Sequence, residues 1–343
     1  MSVYEGCCMF VPPYVLETLA RNGKENALRT LQQTKLSLAK RNSKVIPMEV
    51  LPQIAPPGQG PRKVYDCGHK WEQKVNLVRD EGAPTSADEV VNKAYDFSGK
   101  VRDYWDKALN RNSIDNAGMD IIINVHFGVG YDNAFWDGEN VTLGDGDGMI
   151  FVNFAKSLDV VAHELAHGVT QYTANFDYYG QPGALHEHFS DVFGSVVKQF
   201  AYGQTAQNAD WLIGNEIMGP ELYGEALRSM KAPGTAYDNA LIGKDPQPDH
   251  MKDYYTGLDD NQGVHYNSGI PNKAFYLVAM EIGTDKAALI WYHALQRLWS
   301  SAVFNDAVKM IVDSARILVK DGQVPVNSAQ IIRAAFKTVG LPS

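Results

Sequence analysis

The chain has 343 residues and a formal net charge of −9 at pH 7, and it is long enough for two ordinary domains or one two-lobed fold. Its acidity disfavours nucleic acids and anionic membranes as partners, because both bind basic surfaces. The cysteines are Cys7, Cys8 and Cys67. This is an odd number with two adjacent, so we expect no disulfide framework.

The first residues contain no basic segment followed by a continuous apolar one, so we predict no secretory signal peptide. No run of about 18 apolar residues occurs, which argues against a membrane span. We expect a cytoplasmic protein, or one secreted by a route that uses no signal peptide, and we expect it to be a monomer.

The N-terminal part of the chain contains two kinds of sequence. Residues 14–41 have the amphipathic pattern of a single helix. Residues 45–62 are rich in proline and glycine, which disfavours a helix and indicates a linker or a processing segment. The sequence therefore predicts a small N-terminal piece followed by a large body.

The body begins with strands and ends with helices. We predict a helix over 87–109, a buried strand over 120–127 and a strand-like segment over 149–154. Apolar periodicity then predicts helices over 158–172, 184–201, 268–282, 285–300, 304–320 and 328–338. This order predicts an α+β fold with a mixed, β-rich N-terminal lobe and a mostly helical C-terminal lobe.

The segment that starts at His163 and ends at His167 is the first candidate for chemistry. On a helix, positions i and i+4 share one face, so both imidazoles can bind one metal ion. Glu164 then lies beside the metal, where it can accept a proton from an attacking water. The alternative is a solvated helix face with two ordinary histidines.

A catalytic zinc ion needs a third protein ligand, and Glu187 is the candidate. Asp191 lies one helical turn later on the same face, where it can accept the second N–H of a ligating imidazole. Two acids at this spacing are ordinarily surface charge, but the apolar neighbours Leu185 and Phe193 favour a buried site.

These segments resemble the thermolysin family of zinc metallopeptidases, and the resemblance covers about residues 60–343. It implies a zincin fold in which the active-site helix lies between an N-terminal lobe (51–157) and a C-terminal lobe (158–343). It also implies protein or peptide substrates and one catalytic zinc ion, bound by His163, His167 and Glu187. Hydrolysis would then use Glu164 as the general base.

The same resemblance assigns residues that hold the substrate. Asn133 and Ala134 would bind the substrate backbone from an edge strand, and Arg228 would contact a substrate carbonyl. The residues that would line the pocket just after the scissile bond are Phe151, Phe154, Val160 and Leu227. An apolar pocket predicts an endopeptidase that cleaves on the amino side of large apolar residues. Plain core packing is the alternative for each of these four side chains.

Further residues would act on the oxyanion and on the metal ligands. Tyr178 and His265 would donate hydrogen bonds to the oxyanion, and Asp260 would orient His265. His186 stands where the family usually has Asn, as the partner of His167. His188, on the other side of Glu187, is expected to be a packing or surface residue rather than a fourth ligand.

The resemblance predicts that the paired calcium site of many family members is absent here. The family's acidic positions at that site fall on Asp159, Lys198, Asp210, Leu212 and Asn215. Calcium takes six to eight oxygen ligands, and few carboxylates remain. We therefore expect the ammonium of Lys198 to lie between Asp159 and Asp210. The alternative is that Lys198 points to solvent and that the two aspartates accept hydrogen bonds from backbone amides instead.

Residues 1–50 resemble the short prosegment of the protealysin subgroup of this family. The element that carries the resemblance consists of Phe10, Pro12, Pro13 and Tyr14. It implies a prosegment that occupies the cleft, inhibits the enzyme and is removed by self-cleavage. Cleavage is expected before Val45, Ile46, Met48 or Leu51. A thiolate of Cys7 or Cys8 could bind the zinc, although bystander thiols are favoured, and a disordered tail is the alternative for the whole segment.

Two other functions compete with this one. A degenerate peptidase that serves as a binding protein would lack the base, a ligand or an oxyanion donor, and all are present in this sequence. An aminopeptidase would need an acidic anchor for the substrate's α-amino group, and no such motif stands out. Cleavage of a peptide whose two ends are blocked distinguishes an endopeptidase from an aminopeptidase and from an inactive binding protein.

Overall fold

The computed structural model describes residues 8–42 and 60–342 of the chain. The helices are α1 Pro13–Arg21, α2 Glu25–Asn42, α3 Glu89–Leu109, α4 Leu158–Gln171, α5 Gly180–Tyr202, α6 Asp259–Asn267, α7 Gly269–Ile282, α8 Thr284–Leu295, α9 Phe304–Lys320 and α10 Ser328–Thr338. The strands are β1 Cys8–Met9, β2 Arg62–Asp66, β3 Asn76–Arg79, β4 Ile121–Val125, β5 Ala134–Trp136, β6 Val141–Leu143, β7 Leu212–Ile213, β8 Arg228–Ser229, β9 Asp238–Asn239 and β10 Gly243–Lys244. The predicted α+β class, with a sheet-containing N-terminal lobe and a mostly helical C-terminal lobe, is confirmed, although the short strands β7–β10 follow α5.

Six strands form one sheet in the N-terminal lobe, in the order β1-β5-β6-β4-β2-β3. The pairs β2–β4 and β4–β6 are parallel, and the other pairs are antiparallel. The strand that contains Ala134, β5, was expected at the edge of the sheet, and at one end of the sheet it is the outermost of the strands that lie beyond the N-terminal segment. The N-terminal strand β1 pairs with it and is itself the edge strand.

Helix α4 lies in the core, where it packs against α5, α3 and β5. It is buried along almost its whole length, from Leu158 to Thr170. A helix without a solvated face must have its polar side chains satisfied inside the protein. The histidines of this helix are therefore buried groups, and the solvated-face alternative is wrong.

Two expectations about local structure are also wrong. Residues 14–41 form two helices rather than one, because the chain turns between them at Gly23, which has a φ of 81°. Pro13 starts the first helix, a position where proline's missing N–H costs nothing. The segment 149–154 is not a strand. Asp147 instead accepts backbone N–H groups of Met149 and Ile150 and closes a turn.

Residues 45–59 of the predicted linker or processing span lie outside the described residues, as does Cys7, whereas the last residue of the span, Arg62, begins β2. Within the described ranges, no helix is both long enough and apolar enough to cross a membrane.

Candidate active site

Three buried side chains from α4 and α5 converge at the centre of the molecule. The Nε2 atoms of His163 and His167 lie 2.9 Å apart. The carboxylate of Glu187 lies 3.5 Å from the first of these atoms and 3.6 Å from the second. The helical spacing of the two histidines places both rings on one face, and α5 brings the carboxylate opposite them.

The chemistry of this group fits a bound cation. Asp191 faces Nδ1 of His163, so the proton of this imidazole lies on that side and the lone pair of Nε2 faces His167. One carboxylate oxygen of Glu187, Oε2, is buried and has no hydrogen-bond partner in the described part of the chain. Two imidazole nitrogens and one carboxylate are the donor set of catalytic zinc sites.

Asp191 orients His163 and is itself held by three donors. Its Oδ1 lies 2.9 Å from Nδ1 of His163. Arg228 donates to Asp191 through Nε and Nη2, each at 2.9 Å, and Asn272 donates through Nδ2 at 2.9 Å. Burial would raise the pKa of Asp191, but Arg228 and His163 hold it well below its usual range.

His167 has a different set of partners. Its Nδ1 lies 2.7 Å from Nδ1 of His186 and 2.9 Å from Oγ of Ser190, and the two imidazole rings are stacked with centroids 4.8 Å apart. His186 therefore contacts His167, as the resemblance led us to expect. Ser190 was missed from the sequence, although its position one turn after His186 on α5 was visible there. The Sγ of Cys8 lies 3.8 Å from Nδ1 of His186.

Glu164 lies on α4 directly after the first histidine and is completely buried. Burial raises the pKa of Glu164 to about 8, against the opposing effect of His163. Burial would also raise the pKa of Glu187, but the imidazoles of His265 and His163 lower it to about 2. The two carboxyl groups therefore differ in proton affinity because of their different surroundings.

Tyr178 and His265 lie beside the Glu187 carboxylate. The hydroxyl of Tyr178 donates to Glu187 and lies 3.4 Å from Nε2 of His265. On the other side of the imidazole, Nδ1 lies 2.7 Å from Oδ1 of Asp260. Burial would lower the pKa of His265, but Asp260 and Glu187 raise it to about 9. The structure thus places two proton donors next to the metal-binding group.

The backbone of the N-terminal segment runs through this site. Met9 O lies 2.9 Å from Nε2 of His265, and Phe10 N donates to Ala134 O at 3.1 Å. Arg228 Nη1 donates to Phe10 O at 3.0 Å. Asn133 exchanges two hydrogen bonds with the backbone of the next residue, Val11, at 2.8 and 3.1 Å. The residues expected to hold a substrate backbone therefore hold this segment.

The ring of Phe10 fills a pocket beside the metal-binding group and is completely buried. Its centroid lies 5.1 Å from the ring of His163 and 6.5 Å from that of Phe154. A Cβ added to Gly214 would lie 2.9 Å from Phe10 and 3.3 Å from Leu227, so Gly214 also lines the pocket. Sequence reasoning missed this glycine, which carries no side chain to signal it.

The other expected pocket residues are buried nearby, as Phe151 packs against Phe154 with ring centroids 5.9 Å apart, and Val160 lies on α4. Their role in a pocket stays a prediction. Pro12 precedes Pro13 at the start of α1, and the ring of Tyr14 lies 4.5 Å from that of Tyr266. Phe10, Val11 and Tyr14 of this element therefore contact the body of the protein.

Two other expectations concern residues outside the site. Nδ1 of His188 lies 2.7 Å from Oδ1 of Asn272, and Nε2 of His188 accepts the indole N–H of Trp291 at 2.8 Å, so His188 is a buried packing residue. Lys198 points inward rather than to solvent: it lies 3.9 Å from Asp159 and 3.5 Å from Asp210.

Two family models cover most of the chain. The thermolysin metallopeptidase catalytic domain matches residues 26–171. The thermolysin metallopeptidase alpha-helical domain matches residues 174–341. Both models describe parts of one peptidase, and they meet between helices α4 and α5.

Individual relatives agree with these matches. An extracellular metalloprotease of Pectobacterium carotovorum subsp. carotovorum is 45% identical over 97% of this chain and 96% of its own length. A thermolysin of Alicyclobacillus acidocaldarius subsp. acidocaldarius is 39% identical over 75% of this chain, but only 46% of that longer relative is covered. The solved precursor of protealysin, a metalloproteinase from Serratia proteamaculans, superposes with a TM-score of 0.87 at 41% identity, covering 97% of this chain and 99% of that one.

Proposed function

We propose that this chain, which belongs to the thermolysin metallopeptidase family, is an endopeptidase that cleaves on the amino side of large apolar residues and is held inactive by its own N-terminal segment. The observation that carries the proposal is the buried ring of Phe10 beside His163, with its backbone bound as a peptide substrate would be.

The residues present suit the family's catalytic zinc ion, which His163, His167 and Glu187 would hold. When bound, zinc supplies positive charge that polarises a peptide carbonyl and acidifies water. Glu164 would take the proton from the attacking water and pass it to the leaving amine. Tyr178 and the charged imidazole of His265 would donate hydrogen bonds to the oxyanion.

The proposed specificity follows from the pocket that holds Phe10. Its described neighbours are the rings of His163 and Phe154 and the backbone at Gly214. The guanidinium of Arg228 also lies over the ring, with its Cζ 5.0 Å from the ring centroid. An apolar side chain gains free energy from burial here, whereas a charged one would lose its hydration.

The proposed inhibition follows from competition for the same atoms. Asn133, Ala134, Arg228 and His265 all bind backbone atoms of the N-terminal segment. A substrate peptide that needs these partners cannot enter until the segment leaves. We expect residues 1–50 to act as this inhibitory prosegment. Its removal would follow cleavage before Val45, Ile46, Met48 or Leu51.

An internally quenched peptide with blocked ends tests the proposal. Mature enzyme should cleave the peptide before Leu or Phe, and a matched peptide with Asp at that position should be cleaved about 100-fold more slowly. Glu164→Ala should keep its zinc, measured by elemental analysis, and lose about 1,000-fold in rate. A Glu164→Ala protein that cleaves at the wild-type rate contradicts the mechanism, and cleavage only of peptides with a free amino end would favour an aminopeptidase.

A further inference from the structure

We propose that the Met9–Phe10 peptide bond occupies the cleavage position of the site and that the protein hydrolyses it, so that a first processing product begins at Phe10. This inference rests on the proposed function and makes it more specific. It identifies one bond of the N-terminal segment as an intramolecular substrate, rather than treating the segment as a passive plug.

The register of the segment is fixed by pairing on consecutive residues. Strand β1 runs antiparallel to β5, with Cys8 opposite Trp136 and Met9 opposite Phe135. The hydrogen bonds continue past the end of the strand, from Phe10 N to Ala134 O and from Val11 N to the side chain of Asn133. A shift by one residue would turn every side chain to the opposite face, so the segment cannot slide to present another bond.

The carbonyls of Met9, Phe10 and Val11 have different partners, and among these three the carbonyl of Met9 faces a proton donor beside the expected metal ligands. Phe10 O accepts from Arg228 at 3.0 Å, and Val11 O accepts from Asn133 at 3.1 Å. Met9 O lies 2.9 Å from Nε2 of His265, an atom that is itself 3.5 Å from the Glu187 carboxylate. Since hydrolysis requires the reacting carbonyl next to the metal and an oxyanion donor, the reacting carbonyl is that of Met9.

The side chains agree with this placement. The residue after the Met9 carbonyl is Phe10, and its ring is the one buried against His163 and Phe154. A pocket that accepts large apolar residues directly after the scissile bond is therefore filled by the matching residue. Backbone and side chain point to the same bond.

The step balances with water as the only co-reactant. The oxygen of water bonds to the carbonyl carbon of Met9, and the bond from that carbon to the nitrogen of Phe10 breaks. Both water protons end on this nitrogen, which gives a carboxylate on Met9 and an ammonium on Phe10. Residues 1–9 are then released from the rest of the chain, whereas α1 and α2 remain attached to it.

The full chain, loaded with zinc, tests the inference. Samples are quenched in acid over time, and intact mass and N-terminal sequencing identify the products. We expect a product that begins at Phe10 and forms at a rate independent of protein concentration, because enzyme and bond belong to one molecule. Phe10→Leu should keep this cleavage, and Phe10→Asp should slow it about 100-fold. Leu36→Asp, at a side chain 56% exposed on α2, is the matched control and should change nothing.

Hydrogen exchange gives a readout that needs no turnover. In the Glu164→Ala background, the backbone N–H groups of Phe10 and Val11 should be protected from exchange, since both donate within the site. Phe10→Asp in that background should remove the protection, and Leu36→Asp should not. Unprotected N–H groups at both positions would show that the register described above does not exist in solution.

The outcomes separate the inference from the function on which it rests. If the same sample comes to cleave the blocked peptide but never contains a product that begins at Phe10, the inference is wrong and the proposed function stands. If neither product nor peptide cleavage is ever seen in zinc-loaded protein, the proposed function fails. A product that begins at another residue between 8 and 13 would show that the segment is bound in a different register. The inference about the Met9–Phe10 bond would then be wrong, and the proposed function would stand.

Discussion

Replacing Lys198 with alanine should destabilise the protein without a metal being involved. Three carboxylates surround the ammonium: Asp159 at 3.9 Å, Asp210 at 3.5 Å and Glu216 at 3.8 Å. Asn215 also accepts from Lys198 at 3.0 Å. Burial opposes the charge of Lys198, but Asp159 and Asp210 raise its pKa, so the side chain stays charged at neutral pH. The lysine is thus the cation of this cluster.

The loss in unfolding free energy caused by Lys198→Ala depends mainly on Asp159. Breaking a buried ion pair costs about 3–5 kcal/mol, because it leaves an uncompensated buried charge. Asp210 and Glu216 are 41% and 36% exposed, so water can replace the lysine there. Asp159 is fully buried but also accepts the backbone N–H of Gly214 at 2.9 Å. We therefore expect a loss at the lower end of this range, about 3 kcal/mol. With an unfolding entropy of about 2.1 cal/mol/K per residue, this lowers the melting temperature by roughly 4 °C.

Calorimetry measures this shift, and Lys198→Met separates charge from packing because methionine fills similar space. Both variants should melt lower, while Lys309→Ala, at an exposed lysine of α9, should be neutral. Added calcium should not change the melting temperature of wild type. It should partly restore the melting temperature of the variants by binding the carboxylates that the lysine no longer contacts. A Lys198→Met variant that melts within about 1 °C of wild type, or a large calcium-dependent rise in wild type, would refute this reasoning.

Two further predictions concern other parts of the molecule. Tyr178→Phe should lower kcat of the mature enzyme about 100-fold with its zinc content unchanged; an unaltered kcat would exclude the hydroxyl as an oxyanion donor. The carboxylates of Asp145 and Asp88 raise the pKa of His126 to about 9, so its stabilising contribution should be complete below about pH 6.5 and lost as the pH rises through 9. Melting curves of wild type and His126→Gln should accordingly converge at high pH, and a gap that widens with pH would contradict the assignment.

The convergence of His163, His167 and Glu187 could be predicted from the sequence because the geometry of each helix is local. Helical spacing alone places His163 and His167 on one face, and a second helix supplies Glu187 and Asp191 with the same periodicity. The burial of these side chains could not be predicted from helical spacing, since it depends on how other parts of the fold enclose α4.

Contacts between distant parts of the chain were harder to predict. Ser190 and Glu216 are polar residues with no motif of their own, and only the fold brings them to His167 and Lys198. The strand β1 has two residues, too few for a period-2 pattern to be recognised. Met9 contacts His265 through its backbone carbonyl. Every residue has such a carbonyl, so the side chain of Met9 gives no indication of this contact.

The pairing of β1 with β5 has a consequence for the enzyme if the N-terminal segment is removed as proposed. Removal would expose the unpaired N–H and C=O groups of a sheet edge, which any extended chain can bind irrespective of sequence. Substrates would be recruited by completing the sheet, and unfolded proteins offer such chains more readily than folded ones. A second copy of the enzyme could dock in the same way. With only Ala134–Trp136 available, however, that edge is short enough to favour brief capture of flexible peptides over lasting self-association.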